Sequence, residues 1–314
     1  MDEFALIRRY FTQLSAPRAD VLLGIGDDCA LLQPPPGEVL AVTTDTLICG
    51  RHFSADVAPY DLGWKALAVS LSDLAAMGAQ PRWFTLALSL QKPCDDWLDA
   101  FACGMARLAA THDVALVGGD TTQGPLSLNV TAFGTVAAGQ AVTRSGARVG
   151  DAICVSGTLG DAALALHQRQ RDGEADAALA LRLDRPEPRV ALGLTMAGHA
   201  HAAVDLSDGL AGDLGHVLQA SGMGALIDLH SLPASEAMIR ALPAWRDRLP
   251  FQLSGGDDYE LCLCLPPSRL AALRAHAKLP LTRIGTITAE TGLRGVDLEG
   301  ATMDIPAQGY RHFA

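Results

Sequence analysis

The sequence predicts a two-domain α/β protein, on three observations. Strand-like and helix-like hydrophobic patterns alternate along the chain, as α/β layer architectures require. The 314 residues exceed the roughly 250–300 at which a single core stops growing. A stretch poor in large apolar groups, "AAGQAVTRSGARVGD" at 137–151, separates two such alternating halves. The boundary is placed at its start, giving domains 1–138 and 139–314.

In the first half the strand patterns are "EVLAVTTDTL", "FTLALSL", "VALVGGD" and "LSLNVTAFGTV". Two helical patterns separate them. One is "DLGWKALAVSLSDLAAMG", with Asp61 as N-cap and Gly78 just past its end. The other is "CDDWLDAFACGMARLAATHD". The last strand, "LSLNVTAFGTV", is β-branched and uncharged; as a bare sheet edge it would invite aggregation unless paired across a symmetric partner. A homodimer through the first domain is expected.

The second half restarts with strand "AICVSG", a helix from Gly160 and a helix over 187–199. Strand "AAVDLSDG", helix "LAGDLGHVLQASG" and strand "GALIDL" follow. "LSGGDDYELCLCL", a helix over 268–277 and "LTRIGTIT" close the pattern. No internal repeat stands out.

Composition excludes several classes. The net charge is −11 and the only lysines are Lys65, Lys92 and Lys278, so no basic stripe for nucleic acid exists. Seven cysteines, odd in number and without C-x-x-C, fit a reducing cytoplasm. Cys262 and Cys264 alternate with leucines and read as small filling on one strand face. The start "MDEFALIRRYF" lacks a signal-peptide core, and uncharged 121–143 holds too many polar residues to span a membrane. A cytoplasmic protein without membrane attachment is expected.

The chemistry lies in a recurrence. "GIGDD", "TTDTL", "SLSDL", "GGDTT", "VDLSDG" and "SGGDDYE" each place aspartate beside Gly, Ser or Thr at the end of an apolar run. Aspartate caps helices and makes turns, and Asp61 and Asp161 are read in that bland way. The adjacent pairs Asp27–Asp28 and Asp257–Asp258 are different, because like charges in one turn repel unless a cation lies between them. Strand-end loops of an α/β fold converge where ligands bind. A carboxylate cluster there suits Mg²⁺, which takes a few carboxylates and fills its octahedron with water and phosphate oxygens. No His/Cys cluster has zinc spacing. The paired glycines before Asp120 and Asp257 permit close backbone approach to a ligand, and Arg144 in "VTRSG" reads equally as a phosphate clamp and as a solvated linker charge. P-loop, G-x-G-x-x-G and protein-kinase signatures are all absent. The residues therefore point to a multi-Mg²⁺, phosphate-handling enzyme on a less common fold.

Eight blocks in order carry a resemblance: "GIGDDCALL", "TTDTLICGRHF", "KALAVSLSDLAAMGA", "GGDTTQGPL", "TRSGARVGD", "VDLSDGL", "SGGDDYEL" and "GYRHF". Spread over residues 4–313, they closely resemble the thiamine-monophosphate kinase family, within the superfamily of aminoimidazole-ribonucleotide synthetase and selenophosphate synthetase. The resemblance implies ATP-dependent phosphorylation of thiamine monophosphate to thiamine diphosphate by direct in-line transfer, with several Mg²⁺ ions. It implies an N-terminal α/β domain, binding ATP and Mg²⁺, whose sheet forms a barrel across a homodimer. A C-terminal α/β domain would complete the site. Carried over by position, Asp28, Thr43, Thr44, Asp45, Asp73, Asp120, Asp205 and Asp208 resemble metal ligands. Gly119, Asp120, Arg144 and Ser207 resemble ATP contacts, and His52, Asp257 and Tyr310 resemble contacts to thiamine phosphate. The alternatives are another ATP-using enzyme of the superfamily, for which residues 1–20 lack a reactive cysteine, and a non-catalytic nucleotide or Mg²⁺ sensor.

Overall fold

The computed structural model describes residues 2–306 and residue 309. Its backbone divides into two compact units, residues 1–74 with 79–139, and residues 75–78 with 140–314.

Unit 1 begins with α1 (Glu3–Leu6), whose N-cap Asp2 accepts from the Ala5 amide, and a π-helical turn over Ile7–Phe11. A short hairpin follows, β1 (Val21–Leu23) and β2 (Leu31–Leu32). Then come β3 (Glu38–Ile48), α2 (Pro59–Ala76), β4 (Gln80–Leu90), α3 (Asp95–His112), β5 (Ala115–Gln123) and β6 (Ser127–Ala137). Among the described residues the long strands form a four-stranded sheet, ordered β3-β6-β4-β5. β4 and β5 run parallel, and the other pairs are antiparallel.

This order corrects one expectation. "LSLNVTAFGTV" is not an edge: β6 lies between β3 and β4, and its apolar residues Leu128, Val130 and Ala132 are buried on both accounts of pairing and packing. The edges are β3 and β5, and on β3 Leu40, Val42 and Ile48 are exposed. β-branched composition marks a strand, but it does not say which strand ends the sheet. Asp61 is also not the N-cap. The helix starts at Pro59, where a fixed φ and a missing N–H cost nothing. Asp61 sits in the first turn, where its charge favours the positive end of the helix. Gly78 does fall past the end, at φ +68°, and its amide donates to the Ala75 carbonyl.

α2 and α3 approach so closely that glycine is required at their contact. A Cβ on Gly63 would lie 2.0 Å from the Phe101 carbonyl oxygen, and one on Gly104 would lie 1.9 Å from that of Tyr60.

Unit 2 contains β7 (Ala152–Ser156), α4 (Asp161–Asp172), α5 (Ala177–Asp184), α6 (Val190–Met196), β8 (Ala202–Asp205), α7 (Leu210–Ser221) and β9 (Gly224–Asp228). A 3-10 turn at Leu229–Ser231 leads to α8 (Glu236–Ala241), α9 (Trp245–Ser254), β10 (Leu261–Leu265) and α10 (Pro267–His276). β11 (Leu281–Thr288), β12 (Gly292–Val296) and β13 (Thr302–Asp304) complete it. Among the described residues these strands form one sheet, β13-β12-β9-β11-β7-β10-β8, parallel only between β12 and β9. Ile153, Val155, Ala202, Val204, Cys262 and Cys264 share the face packed with Leu210, Leu214 and Val217 of α7. The alternation of "LCLCL" thus does put both cysteines on one face, and burial pushes both thiols well above their ordinary value.

The helix expected over 187–199 is shorter, because Pro186 and Pro188 bias the residues before them away from helical backbone. Helices α5, α8 and α9 were not legible, the last carrying Pro250 inside it.

Candidate functional site

In unit 1, strand β3 carries Thr43, Thr44 and Asp45 on alternating sides. Thr43 and Asp45 face α2: the Thr43 hydroxyl donates to Asp73 Oδ2, and the Ser70 hydroxyl donates to Asp45 Oδ2 at 2.8 Å. Burial first, then the Asp73 charge, push the Asp45 carboxyl up to about 6, with the Ser70 bond pulling the other way. Two carboxylates and two hydroxyls are gathered here by one strand and one helix.

Thr44 points to the opposite face. Its hydroxyl lies 3.0 Å from that of Thr131 and 3.3 Å from the Asn129 side-chain oxygen, and Asn129 donates to Thr46 at 2.8 Å. Register puts Asp120 on this second face as well, since it pairs with Ala87, which pairs with Asn129. The sheet therefore separates the unit 1 candidates into two groups. Gly119 lies in β5 at φ +148°, and a Cβ there would be 1.9 Å from the Leu86 carbonyl oxygen. The close approach that its position serves is to the neighbouring strand.

Asp28 is exposed in the loop after β1, and its amide donates to Asp27 Oδ1 at 2.8 Å. Asp27 is thus a turn residue, and the Asp28 carboxylate is left outside that turn. His52 follows β3, where its Nδ1 accepts the Ile48 amide at 2.9 Å. That bond fixes the neutral ring with its proton on Nε2.

In unit 2, β8 ends at buried Asp205, and the loop to α7 carries Ser207 and Asp208. The amides of Ser207, Asp208 and Gly209 all donate to Asp213 Oδ2, at 3.0, 3.0 and 3.1 Å. A second loop, 254–260, lies against the first. The Asp257 amide donates to the Ser207 carbonyl at 2.9 Å, the Tyr259 amide to Leu206 at 2.8 Å, and the Leu206 amide to Glu260 at 2.8 Å. A Cβ on Gly256 would lie 2.5 Å from the Ser207 carbonyl oxygen, so the second glycine pair also serves a close protein contact. Asp257 and Tyr259 adopt left-handed backbone, φ +67° and +49°. The cost, on the order of 1 kcal/mol or more each, is offset by what lies between and beside them. Both Asp258 oxygens accept the Gly160 amide, at 2.9 and 2.8 Å. Fully buried Glu260 accepts from Arg182 at 2.7 Å and from Arg189 Nε at 2.7 Å, with Ser156 as a third donor. The Tyr259 hydroxyl donates to Asp257 Oδ1 at 3.0 Å.

Burial pushes the Asp213 carboxyl up to about 7, the Asp208 charge adding to the shift, while the Asp208 and Ser207 amides and, last, the Arg144 charge oppose it. Arg144 is exposed in unit 2. Tyr310 lies outside the described residues. Sequence reasoning missed Asp213, Tyr259, Glu260, Arg182 and Arg189. The signal for Asp213 was an acid in the first turn after Gly209, where a helix start favours it. Nothing in sequence paired Glu260 with arginines more than 70 positions away.

The candidate ligands Asp28, Thr43, Thr44, Asp45, Asp73, Asp120, Asp205 and Asp208 are all hard oxygen donors. Among the described residues no group of three or more His, Cys, Asp or Glu stands at metal-holding spacing. Burial first and the Asp73 charge second disfavour the ionised Asp45 carboxyl, and a hard cation such as Mg²⁺, completing its shell with hydroxyls, water and phosphate, would offset both.

The chain is an AIR synthase related protein. The N-terminal domain of that family matches residues 26–136 and the C-terminal domain matches residues 148–297. It is 47% identical to thiamine-monophosphate kinase of Escherichia coli (strain K12), over 99% of this chain and 98% of that protein. It is similar to the crystal structure of thiamine-monophosphate kinase from Stenotrophomonas maltophilia K279a, at TM-score 0.87 and 52% identity, covering 94% of this chain and 96% of that one. It is also similar to AaThiL complexed with AMPPCP and TMP, at TM-score 0.79 and 29% identity, with 89% of each chain covered. The chain belongs to the thiamine-monophosphate kinase family.

Asp258 gives a pH test of the second loop. Desolvation holds its carboxyl well above the usual range, Glu260 and Asp161 adding to the shift, Gly160 and Arg182 opposing it. An acid whose folded pKa is raised binds its proton more tightly when folded. Stability then falls as pH rises from the unfolded value, about 3.9, through the folded one. Asp258→Asn keeps an acceptor for Gly160 and cannot ionise. Urea unfolding should show the variant gaining on wild type between about pH 5 and pH 8. An equal difference at both pH values would remove the assignment.

Proposed function

We infer that this chain transfers the γ-phosphoryl group of ATP to thiamine monophosphate, forming thiamine diphosphate. The observation that carries the reading is membership of the thiamine-monophosphate kinase family along nearly the whole chain. The hard-oxygen groups on β3, α2 and the β8–α7 loop support it. Donor and acceptor are both polyanions, and direct transfer depends on positioning and charge neutralisation. Mg²⁺, when bound, would supply that neutralisation. Asp28, Thr43, Thr44, Asp45, Asp73, Asp120, Asp205 and Asp208 are its proposed ligands.

Gly119, Asp120, Arg144 and Ser207 are assigned to ATP, with Arg144 offering a bidentate guanidinium to phosphate. His52 offers Nε2–H to a phosphate oxygen, its tautomer set by the Ile48 amide. Asp257 carries the charge that favours the thiazolium cation, and the Tyr259 hydroxyl orients it. Tyr310 is assigned to the thiamine rings by the resemblance alone. We assign domain 1–138 to ATP, Mg²⁺ and dimerisation, and domain 139–314 to completing the site.

Steady-state assays with ATP should show turnover of thiamine monophosphate and none of free thiamine; comparable rates on the two would sink the reading. For the metal ligands, Asp45→Asn removes a charge that burial and Asp73 disfavour. The metal-free variant should melt at or above wild type, a gain of at most about 1–2 kcal/mol after allowing for solvent screening. Turnover should fall at least about a hundredfold. Near-normal rates at millimolar Mg²⁺ would show the carboxylate to be structural.

The homodimer is proposed through edge strand β3, the sheet closing into a barrel with its copy. Exposed Leu40, Val42 and Ile48 on an unpaired edge support it. Light scattering at micromolar concentration should give twice the chain mass, and a single-chain mass would refute the proposal.

A further inference from the structure

Three successive amides, those of Ser207, Asp208 and Gly209, converge on the single oxygen Asp213 Oδ2 at 3.0–3.1 Å. Amides aimed at one point at the start of a twelve-residue helix make a ready anion site, the arrangement that commonly takes a phosphate. Here the acceptor that fills it belongs to the chain itself. Asp213 is buried, at 3% exposure, four to six residues beyond the amides it binds.

Two consequences follow from hydrogen-bond supply. The amides at the start of α7 are already used, so a nucleotide phosphate cannot also claim them. Ser207 has given its N–H to Asp213, and its carbonyl accepts the Asp257 amide. Its hydroxyl is the remaining donor it has for a ligand. The loop is held on its other side by the 254–260 segment, through the Leu206 and Asp257 amide bonds. Asp213 fixes the one stretch, 207–209, whose own amides do not join that ladder.

We propose that Asp213 is a positioning residue of the phosphoryl-transfer site, an internal carboxylate that fills the amide nest and so presents the Ser207 hydroxyl and the Asp208 carboxylate to Mg²⁺–ATP. This rests on the assignment of Ser207 and Asp208 given above. A plain helix cap would contribute stability alone, and a positioning residue also sets nucleotide affinity at preserved fold.

The test uses the full chain with Asp213→Asn, which keeps one acceptor oxygen without charge, and Asp213→Gly, which empties the nest. Asp213→Asn should melt within about 5 °C of wild type. Its KM for ATP should rise roughly tenfold, with the KM for thiamine monophosphate unchanged within about twofold. Asp213→Gly should lose more, and sodium formate at about 100 mM should restore part of its turnover by supplying the missing carboxylate. Wild-type ATP kinetics in Asp213→Asn would overturn the proposal. So would formate that raises the melting temperature of Asp213→Gly without raising turnover. Should wild type fail to phosphorylate thiamine monophosphate, the functional reading falls by itself. Calorimetric titration of Mg²⁺–AMPPCP into the three proteins then decides the role of Asp213, and equal affinities refute it.

Discussion

A carboxylate removed from water must meet donors that replace its hydration, or its charged form becomes untenable. Much of unit 2 is organised around that demand, although burial still holds Asp213 and Asp258 above the usual carboxylate range. Asp213 receives three loop amides, Asp258 receives the Gly160 amide at the start of α4, and Glu260 receives two guanidinium groups and the Ser156 hydroxyl. Asp161 receives the hydroxyls of Thr158 and Ser235 at 2.6 and 2.7 Å. Each bond ties a loop to an element that the hydrophobic core already fixes. Removing one partner of a buried ion pair typically costs 3–5 kcal/mol, so the arginines that meet Glu260 are constraints on loop shape.

The two loops so held carry Ser207, Asp208 and Asp257, the first of them following Asp205 at the end of β8. Their backbones continue the β8–β10 pairing beyond regular strand, through the Leu206, Asp257 and Tyr259 amides. Left-handed backbone at Asp257 and Tyr259 is the local strain this arrangement tolerates. It turns the Asp258 side chain inward to Gly160, and the Tyr259 hydroxyl meets the Asp257 carboxylate.

Unit 1 meets the same demand with hydroxyls. Thr43 donates to Asp73 and Ser70 donates to Asp45, which is a weaker remedy than guanidinium. Asp45 is left with a raised pKa beside a second carboxylate. A cation between Asp45 and Asp73 would relieve the like-charge repulsion that the two hydroxyls leave in place.

The sequence by itself determined that this is an α/β chain in two parts, because hydrophobic period is a local property. It determined the family too, since eight motifs in fixed order leave few other origins. Period 2 along "TTDTL" also implied that Thr43 and Asp45 share a side that Thr44 does not. Only the tertiary structure decided that β3 and β5, and not β6, are the edges of the sheet, because strand order depends on pairing between distant segments. It alone decided that the paired glycines before Asp120 and Asp257 make room for Leu86 and Ser207, and that Asp213 fills the amides before α7. Those outcomes depend on which backbone atoms meet across the fold, and composition near each residue carries no record of that.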